Sequence, residues 1–311
     1  MALLVLDRKD LELRAEARHV AVYERGQRCY TVPLRMLDRV VVQGRVLMDS
    51  AVFSLFAREG VGLVVIDARN PDCSAEIVGD AGSFNRRMLQ VRRARDPGWR
   101  SAFARVVITR KLMAQWRVLQ RFWSARPDLR RQFVRLQRGF PVYIEQIHKH
   151  SSSGRRVRAI EGAAARVWFS VYQRLFPEGL GFEGRNRRPP RDPVNVGLSL
   201  GYTLLYGEAV TAIRGLGLDP SIGFFHALRP DRKALALDLM EPLRPWVDHW
   251  IWRLFRSRTL RPEHFTEKAG RCSMGEAGRS NFYRSWAARR SGFARVLRAY
   301  AARLGAALLD R

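Results

Sequence analysis

Two hydrophobic periods divide this chain. Up to about residue 84 the apolar positions come in short, often β-branched runs: Val5 to Leu6, Leu11 to Leu13, His19 to Tyr23, Cys29 to Val32 and Arg39 to Val42. Runs of this length, separated by turn residues such as Glu24-Arg25-Gly26-Gln27, predict strands. MDSAVFSLFAREG (48–60) has helical spacing, with Asp49 or Ser50 placed to cap it and Gly60 to end it. VGLVVIDA (61–68) then reads as a buried strand running into the turn-rich ARNPD. The many short strands before this helix–strand pair argue against a regular βαβ series.

After Gly82 the period lengthens. Residues 86–95 and 101–124 carry Leu, Val, Ile, Phe and Trp at helical intervals among arginines. KHSSSGRRVRA (149–159) predicts a flexible basic loop, leading into a helix over 160–176 that Gly162 weakens slightly. GFEGRNRRPPRDP predicts an extended basic loop, after which Asp192 can cap a helix with Pro193 at its first position. That helix should run from about 194 to Leu216 and stop at Gly217, with Gly197, Ser199 and Gly201 forming a thin face open to close approach. A turn from Pro220 through GFFH precedes one further helix over 234–256, and the tail alternates basic helix with a loop at 268–280. The pattern predicts an α+β protein: a small β-rich domain (1–84), then a larger helical domain (85–311).

Composition supports a folded chain, with 47% apolar and 27% charged residues in 311. Cys29, Cys73 and Cys272 are too few and too scattered for a disulfide framework or a cysteine-built zinc site. No run of eighteen uncharged apolar residues exists, and charge follows the first apolar run directly in MALLVLDRKDLELR. A reduced, cytoplasmic protein without a membrane span is the expectation.

Charge changes the picture most. Lys and Arg number 56 against 29 Asp and Glu, a formal net charge of +27. Residues 1–84 hold 11 basic and 12 acidic residues, so the remaining 45 basic and 17 acidic residues put a net +28 on 85–311. The second part should hold a polyanion, nucleic acid foremost, while the first packs or docks a partner.

Against that background the acidic residues and one histidine stand out. His226 follows Phe224 and Phe225; Asp238 and Glu241 come later at a spacing that shares a helix face. Two carboxylates on an apolar surface repel unless a cation answers them. Arg244, one turn beyond Glu241, is the ordinary answer, and a divalent ion is the chemical one. Glu161 sits before small residues, at the end of a stretch (85–160) with 20 basic residues and only Asp96, Asp128 and Glu145 as acids; a glutamate favouring its helix dipole is the simpler reading. One imidazole with two or three carboxylates suits Mg²⁺ or Mn²⁺, although from the residues alone a satisfied, partly buried histidine is the larger reading of His226. Arg155, Arg156 and Arg158 lie just before Glu161, and Arg185, Arg187, Arg188 and Arg191 just before the helix at 194. These can fork onto phosphate oxygens or remain solvated loop charge.

The ordered segments EGAAARVWF, GFEGRNRRPPRDPVNVGLSLGYTLLYGEAV and GLDPSIGFFHALRPDRKALALDLMEPLRP resemble the CRISPR adaptation integrase family. YTVPLRMLDRVVVQG, TRKLMAQ and CSMGEAGRSNFYRSWAARR extend the resemblance over nearly the whole chain. It implies a β-sandwich-like N-terminal domain, an all-helical C-terminal domain and a homodimer that joins a small ferredoxin-like partner. The implied activity is metal-dependent insertion of captured double-stranded DNA, by its 3′-hydroxyl ends, into CRISPR repeat DNA. The family's metal ligands match Glu161, His226 and Glu241. Asp238 matches a neighbouring acid that can assist, Asn195 and Tyr202 match supporting positions, and Arg244 joins the arginines expected at DNA. A structure-selective nuclease or a mobile-element integrase would use the same residues. A basic architectural DNA-binding protein would leave Glu161, His226, Asp238 and Glu241 apart.

Overall fold

The computed structural model describes residues 2–8, 10–67, 74–77, 84–149, 154–186, 189–230 and 232–309. The β-rich part contains β1 (Ala2–Leu6), β2 (Leu11–Glu16), β3 (His19–Glu24), β4 (Gln27–Pro33), β5 (Leu37–Gln43), β6 (Val46–Met48), α1 (Ser50–Glu59), β7 (Gly62–Ile66) and β8 (Ser74–Ile77). They form two four-stranded sheets, ordered β1-β5-β7-β8 and β4-β3-β2-β6. β1, β5 and β7 run parallel, and β8 adds an antiparallel edge. The runs of β-branched residues that predict strands are the buried inner faces: Val20, Val22, Val40, Val42 and Leu63 share one core with Val52 and Phe56 of α1. Asp49 caps α1 by accepting from the Val52 amide at 3.1 Å, and Gly60 ends it in the left-handed region at φ 70°. Residues 78–83, beside the expected domain boundary at 84, lie outside the described residues, as do Cys73 and all of ARNPD.

The second part comprises α2 (Phe84–Arg95), α3 (Pro97–Ala125), α4 (Arg130–His148), α5 (Gly154–Tyr172), α6 (Pro193–Arg214), α7 (Ala234–Met240), α8 (Arg244–Arg256), a hairpin of β9 (Phe265–Lys268) and β10 (Arg271–Met274), and α9 (Glu276–Leu309). Three expectations need correction. The part is not all helical, because the β9–β10 hairpin occupies the expected loop at 268–280. The expected single helix at 234–256 is broken by a 3₁₀ turn at Glu241–Leu243, where Pro242 and Pro245 each remove a backbone donor. Residues 154–159, expected in a loop, already belong to α5.

α6 is the axis of this part. Asp192 caps it, accepting from the Asn195 amide at 2.8 Å, with Pro193 at the first position. It is long and apolar enough to cross a membrane by composition, but 83% of that stretch is buried inside the protein. Glu208 interrupts its uncharged run, so it holds no stretch of eighteen uncharged residues. Its thin face receives α8: a Cβ on Gly201 would lie 2.8 Å from Val247 and 3.3 Å from Trp250.

The two parts share a joint. Val41, Val64 and Ile66 of the first sheet pack into the helical core. Arg39 of β5 reaches α6, donating to the Gly207 carbonyl at 2.9 Å and lying 3.4 Å from Glu208. Arg290 of α9 approaches the same Glu208 oxygen at 2.6 Å. Tyr283 adds a hydrogen bond to Gln43 at 2.5 Å.

Candidate functional site

The site grows from the loop between α6 and α7. Residues 218–226 have little regular structure, so side chains from other elements fix them. Gln90 of α2 donates to the carbonyls of Asp219 and Ile222 at 2.8 and 2.7 Å, and accepts from the Asp219 amide at 2.8 Å. Arg100 of α3 donates to the Phe224 carbonyl at 3.1 Å, and Arg158 of α5 to the Phe225 carbonyl at 2.9 Å. Phe224 packs on Trp99 and Phe103 with ring centroids 4.4 and 4.9 Å away. At Gly223 the loop pinches against α7: a Cβ there would stand 2.7 Å from the Ala234 carbonyl carbon.

Asp238, fully buried on α7, completes the clamp. Its carboxylate accepts from the amides of Phe224, Phe225 and His226 at 2.7, 3.1 and 2.9 Å. It also lies 2.7 Å from His226 Nδ1. A carboxylate offers only acceptors, so His226 is assigned the tautomer with its proton on Nδ1. Nε2 then faces the buried Glu241, 3.8 Å from its Oε1. Asp238 thus orients the histidine and has its own oxygens occupied, while His226 keeps one nitrogen available as a ligand.

Glu241 enters from the 3₁₀ turn and is only 6% exposed. Arg244 Nε donates to its Oε1 at 2.7 Å, and Lys111 Nζ to its Oε2 at 2.6 Å. Burial opposes the carboxylate charge, but Arg244 and Lys111 outweigh it and hold the group far below the usual carboxylate range. Glu161, on α5 and 24% exposed, accepts from the same Lys111 ammonium at 2.5 Å. Burial likewise opposes the Lys111 charge, and Glu241 and Glu161 reverse that effect, so the ammonium stays protonated above the ordinary lysine range.

Glu161, His226, Asp238 and Glu241 therefore converge from three segments, contrary to what a purely architectural protein requires. Lys111, at the centre, escapes the sequence reading. Its signal is position: it interrupts the buried stripe Ala104, Ile108, Gln115, Val118 and Phe122 of α3, and only Lys149 accompanies it as a lysine in residues 85–160.

The supporting residues stand one layer back. Tyr202 hydrogen-bonds to buried Asp248, which also accepts from Trp168 Nε1 at 2.9 Å. The guanidiniums of Arg244 and Arg185 lie 4.9 and 5.6 Å from the Tyr202 ring centroid. Burial pushes the Asp248 carboxyl up to about 6. Asn195 organises the basic loop, accepting from Arg185 at 2.7 Å and from the Asn186 amide at 3.0 Å. Arg185 also donates to Ser199 at 3.0 Å, so it braces the loop against α6. Arg155, Arg156 and Arg191 are exposed. Arg187 and Arg188 lie outside the described residues.

Among the described residues no three carboxylate, imidazole or thiol groups enclose a point as a metal cage in this side-chain arrangement. Glu161, Glu241 and His226 are nevertheless donor types that could hold a divalent ion. Glu161 and Glu241 already share one cation, the Lys111 ammonium, and Nε2 of His226 borders the other oxygen of Glu241. Two hard oxygen donors with one imidazole favour Mg²⁺ or Mn²⁺.

Comparison with known proteins gives a consistent family. The family model described as CRISPR associated protein Cas1 matches residues 4–288. A CRISPR-associated endonuclease Cas1 of Thermodesulfovibrio yellowstonii is 32% identical over 287 residues, covering 91% of this chain and 89% of the relative. Among solved structures, a Cas1 protein from Thermotoga maritima superposes with a TM-score of 0.85 at 20% identity, covering 100% of this chain and 98% of that one. A casposase bound to integration product gives 0.84 at 18% identity, with 100% and 92% coverage. A Cas6-RT-Cas1–Cas2 complex gives 0.82 at 20% identity, covering 98% of this chain and 34% of the other. These structural likenesses establish the fold.

Proposed function

This chain belongs to the CRISPR-associated Cas1 family, and on that footing we propose that it inserts short double-stranded DNA into CRISPR repeat DNA by transesterification. The observation that carries this reading is that Glu161 and Glu241 share one cation, with His226 beside the other oxygen of Glu241, in the strongly basic half of the molecule.

Glu161, His226 and Glu241 would hold Mg²⁺ or Mn²⁺. When bound, such an ion supplies Lewis-acid polarisation of a phosphodiester and favours ionisation of an attacking hydroxyl. The chain's own residues do the rest. Asp238 holds Nδ1 of His226 and turns its Nε2 toward Glu241. Arg244 fixes Glu241 from the side opposite Lys111. Exposed Arg155, Arg156 and Arg191 draw the DNA backbone toward the site, and Arg158 and Arg185 stiffen the loops that present it. The incoming 3′-oxygen forms a bond to the target phosphorus, the target 3′-oxygen leaves with a proton, and the number of phosphodiester bonds is unchanged. Positioning of the two strands therefore supplies much of the rate.

The β-rich part carries no net positive charge. In this reading it forms a homodimer or docks the small ferredoxin-like partner, a role supported by the fold likeness to the chain in the Cas1–Cas2 assembly.

The test is strand joining by purified protein with short duplexes and a supercoiled repeat target, in Mn²⁺ or EDTA, with and without the partner. Joining that requires both Mn²⁺ and a 3′-hydroxyl supports the proposal. Cleavage without joining, with partner and repeat present, makes water the nucleophile and the protein a nuclease. Binding with neither activity leaves an architectural role.

A further inference from the structure

Lys111 is the feature that the reaction above does not use. Its stem lies in the buried stripe of α3, among Ile108, Leu112 and Gln115, and its ammonium emerges only where Glu161 and Glu241 meet. Those carboxylates come from different segments, α5 and the turn before α8. Without a cation between them they would repel. The ammonium thus fills the position that the donor set offers to a divalent ion.

The other cation on Glu241 is of a different kind. Arg244 is planar, donates from Nε to Oε1 and lies over the Tyr202 ring, 4.9 Å from its centroid. Lys111 is a compact charge on a flexible four-carbon stem. One partner is anchored, and the other can be exchanged for an ion with no loss of its own proton.

We propose that Lys111 is a built-in competitor for the divalent-ion position, holding Glu161 and Glu241 together in the ion-free protein and passing its ammonium to a DNA phosphate when an ion takes the carboxylates. This rests on the metal-dependent reading of the site. It gives the ion-free site a closed, neutralised form, and it links ion binding to a new phosphate contact. Ion and DNA backbone should then strengthen each other's binding.

The experiment compares the wild-type chain with Lys111→Met and Lys111→Gln, each checked for folding by circular dichroism. Lys111→Gln keeps a hydrogen-bond donor without charge and serves if Lys111→Met does not fold. Mn²⁺ affinity is measured by calorimetry without DNA, and His226→Ala provides the site control. Removing the competitor should tighten Mn²⁺ binding at least tenfold, whereas a merely structural lysine would leave it unchanged or weaken it. A second measurement uses duplexes without 3′-hydroxyls, so that no chemistry occurs. The slope of log K against log salt should fall in magnitude by about 0.9 in the variant when Mn²⁺ is present and stay unchanged in EDTA. Unchanged or weaker Mn²⁺ binding in a folded variant overturns the competition, and an unchanged slope in Mn²⁺ overturns the transfer to phosphate. If wild type binds no Mn²⁺ that depends on His226, the metal reading itself falls and this inference with it. Wild-type binding lost in His226→Ala but not tightened in the Lys111 variants overturns this inference alone.

Discussion

Glu208 and Glu241 are both buried carboxylates set between cations, and they serve different ends. Glu208 lies on α6 between Arg39 of the sheet and Arg290 of α9, with three elements of the fold meeting on it. Its partners are both guanidiniums whose stems are buried in the joint. Glu241 lies at a break in a helix between Arg244 and Lys111, with Nε2 of His226 3.8 Å from its Oε1. The first cluster is closed by planar groups that fit one geometry. The second keeps one exchangeable cation and one available ligand. A buried ion pair is weak evidence for stability by itself; what surrounds the pair tells a joint from a site.

Breaking the joint should have the largest effect. Glu208→Ala leaves two guanidiniums facing each other across the interface and is expected to destabilise the chain by about 3–5 kcal/mol in denaturant unfolding. A loss below about 1 kcal/mol would remove the distinction. Glu241→Gln should show the reverse balance, with strand joining reduced about 100-fold or more, equivalent to about 2.7 kcal/mol, and a smaller loss of stability than at Glu208.

The pillar behind the site sharpens the contrast through pH. Burial raises the Asp248 carboxyl from 3.8 to about 6, so its folded form holds a proton more tightly and stability falls as pH rises from about 4 to 6. Burial, then Arg121, Arg253 and Arg289, lowers His249 from 6.5 to about 4, so stability rises over much the same range. The two contributions oppose each other. Asp248→Asn should unmask the rise, a change of about 3 kcal/mol between pH 4 and 6.5 for a two-unit shift of a buried group. An unchanged pH profile of Tm would exclude an Asp248 titration of this size.

Smaller effects test the periphery. Asp238→Asn should weaken Mn²⁺ binding by about 10- to 100-fold, because the histidine loses its orienting acceptor. Arg191→Ala should lower the salt slope of DNA binding by about 0.9 if one phosphate contact is lost, with little change in folding.

Much of this was legible in the residues. β-branched runs marked the strands of both sheets, and Asp49, Gly60, Asp192 and Pro193 marked helix ends by local chemistry that tertiary packing did not override. His226, Asp238 and Glu241 were legible as a group because carboxylates on an apolar surface need an answer. Lys111 was not, since its partner Glu161 lies fifty residues on and a lysine among arginines reads as surface charge. β6 and β8 were missed because three- and four-residue strands carry too little pattern, and α4 because Pro141 lies inside it. The break at Glu241 was written in Pro242 and Pro245 but hidden by the apolar run on either side. Asp248 was hidden in the tryptophan-rich segment of α8, where only the folded chain brings Trp168 and Tyr202 to it.

The pinch at Gly223 bears on how this site can be altered by mutation. His226 stands three residues after the pinch, and Asp238 four residues after Ala234, which it presses against. Any side chain at 223 must push the two strands of chain apart, and the histidine and its orienting carboxylate would separate with them. The arginines around the site can be exchanged one at a time for small losses in grip. The hydrogen atom that serves as a side chain at Gly223 has no smaller substitute, so a change there would reach the site's geometry without touching one of its functional groups.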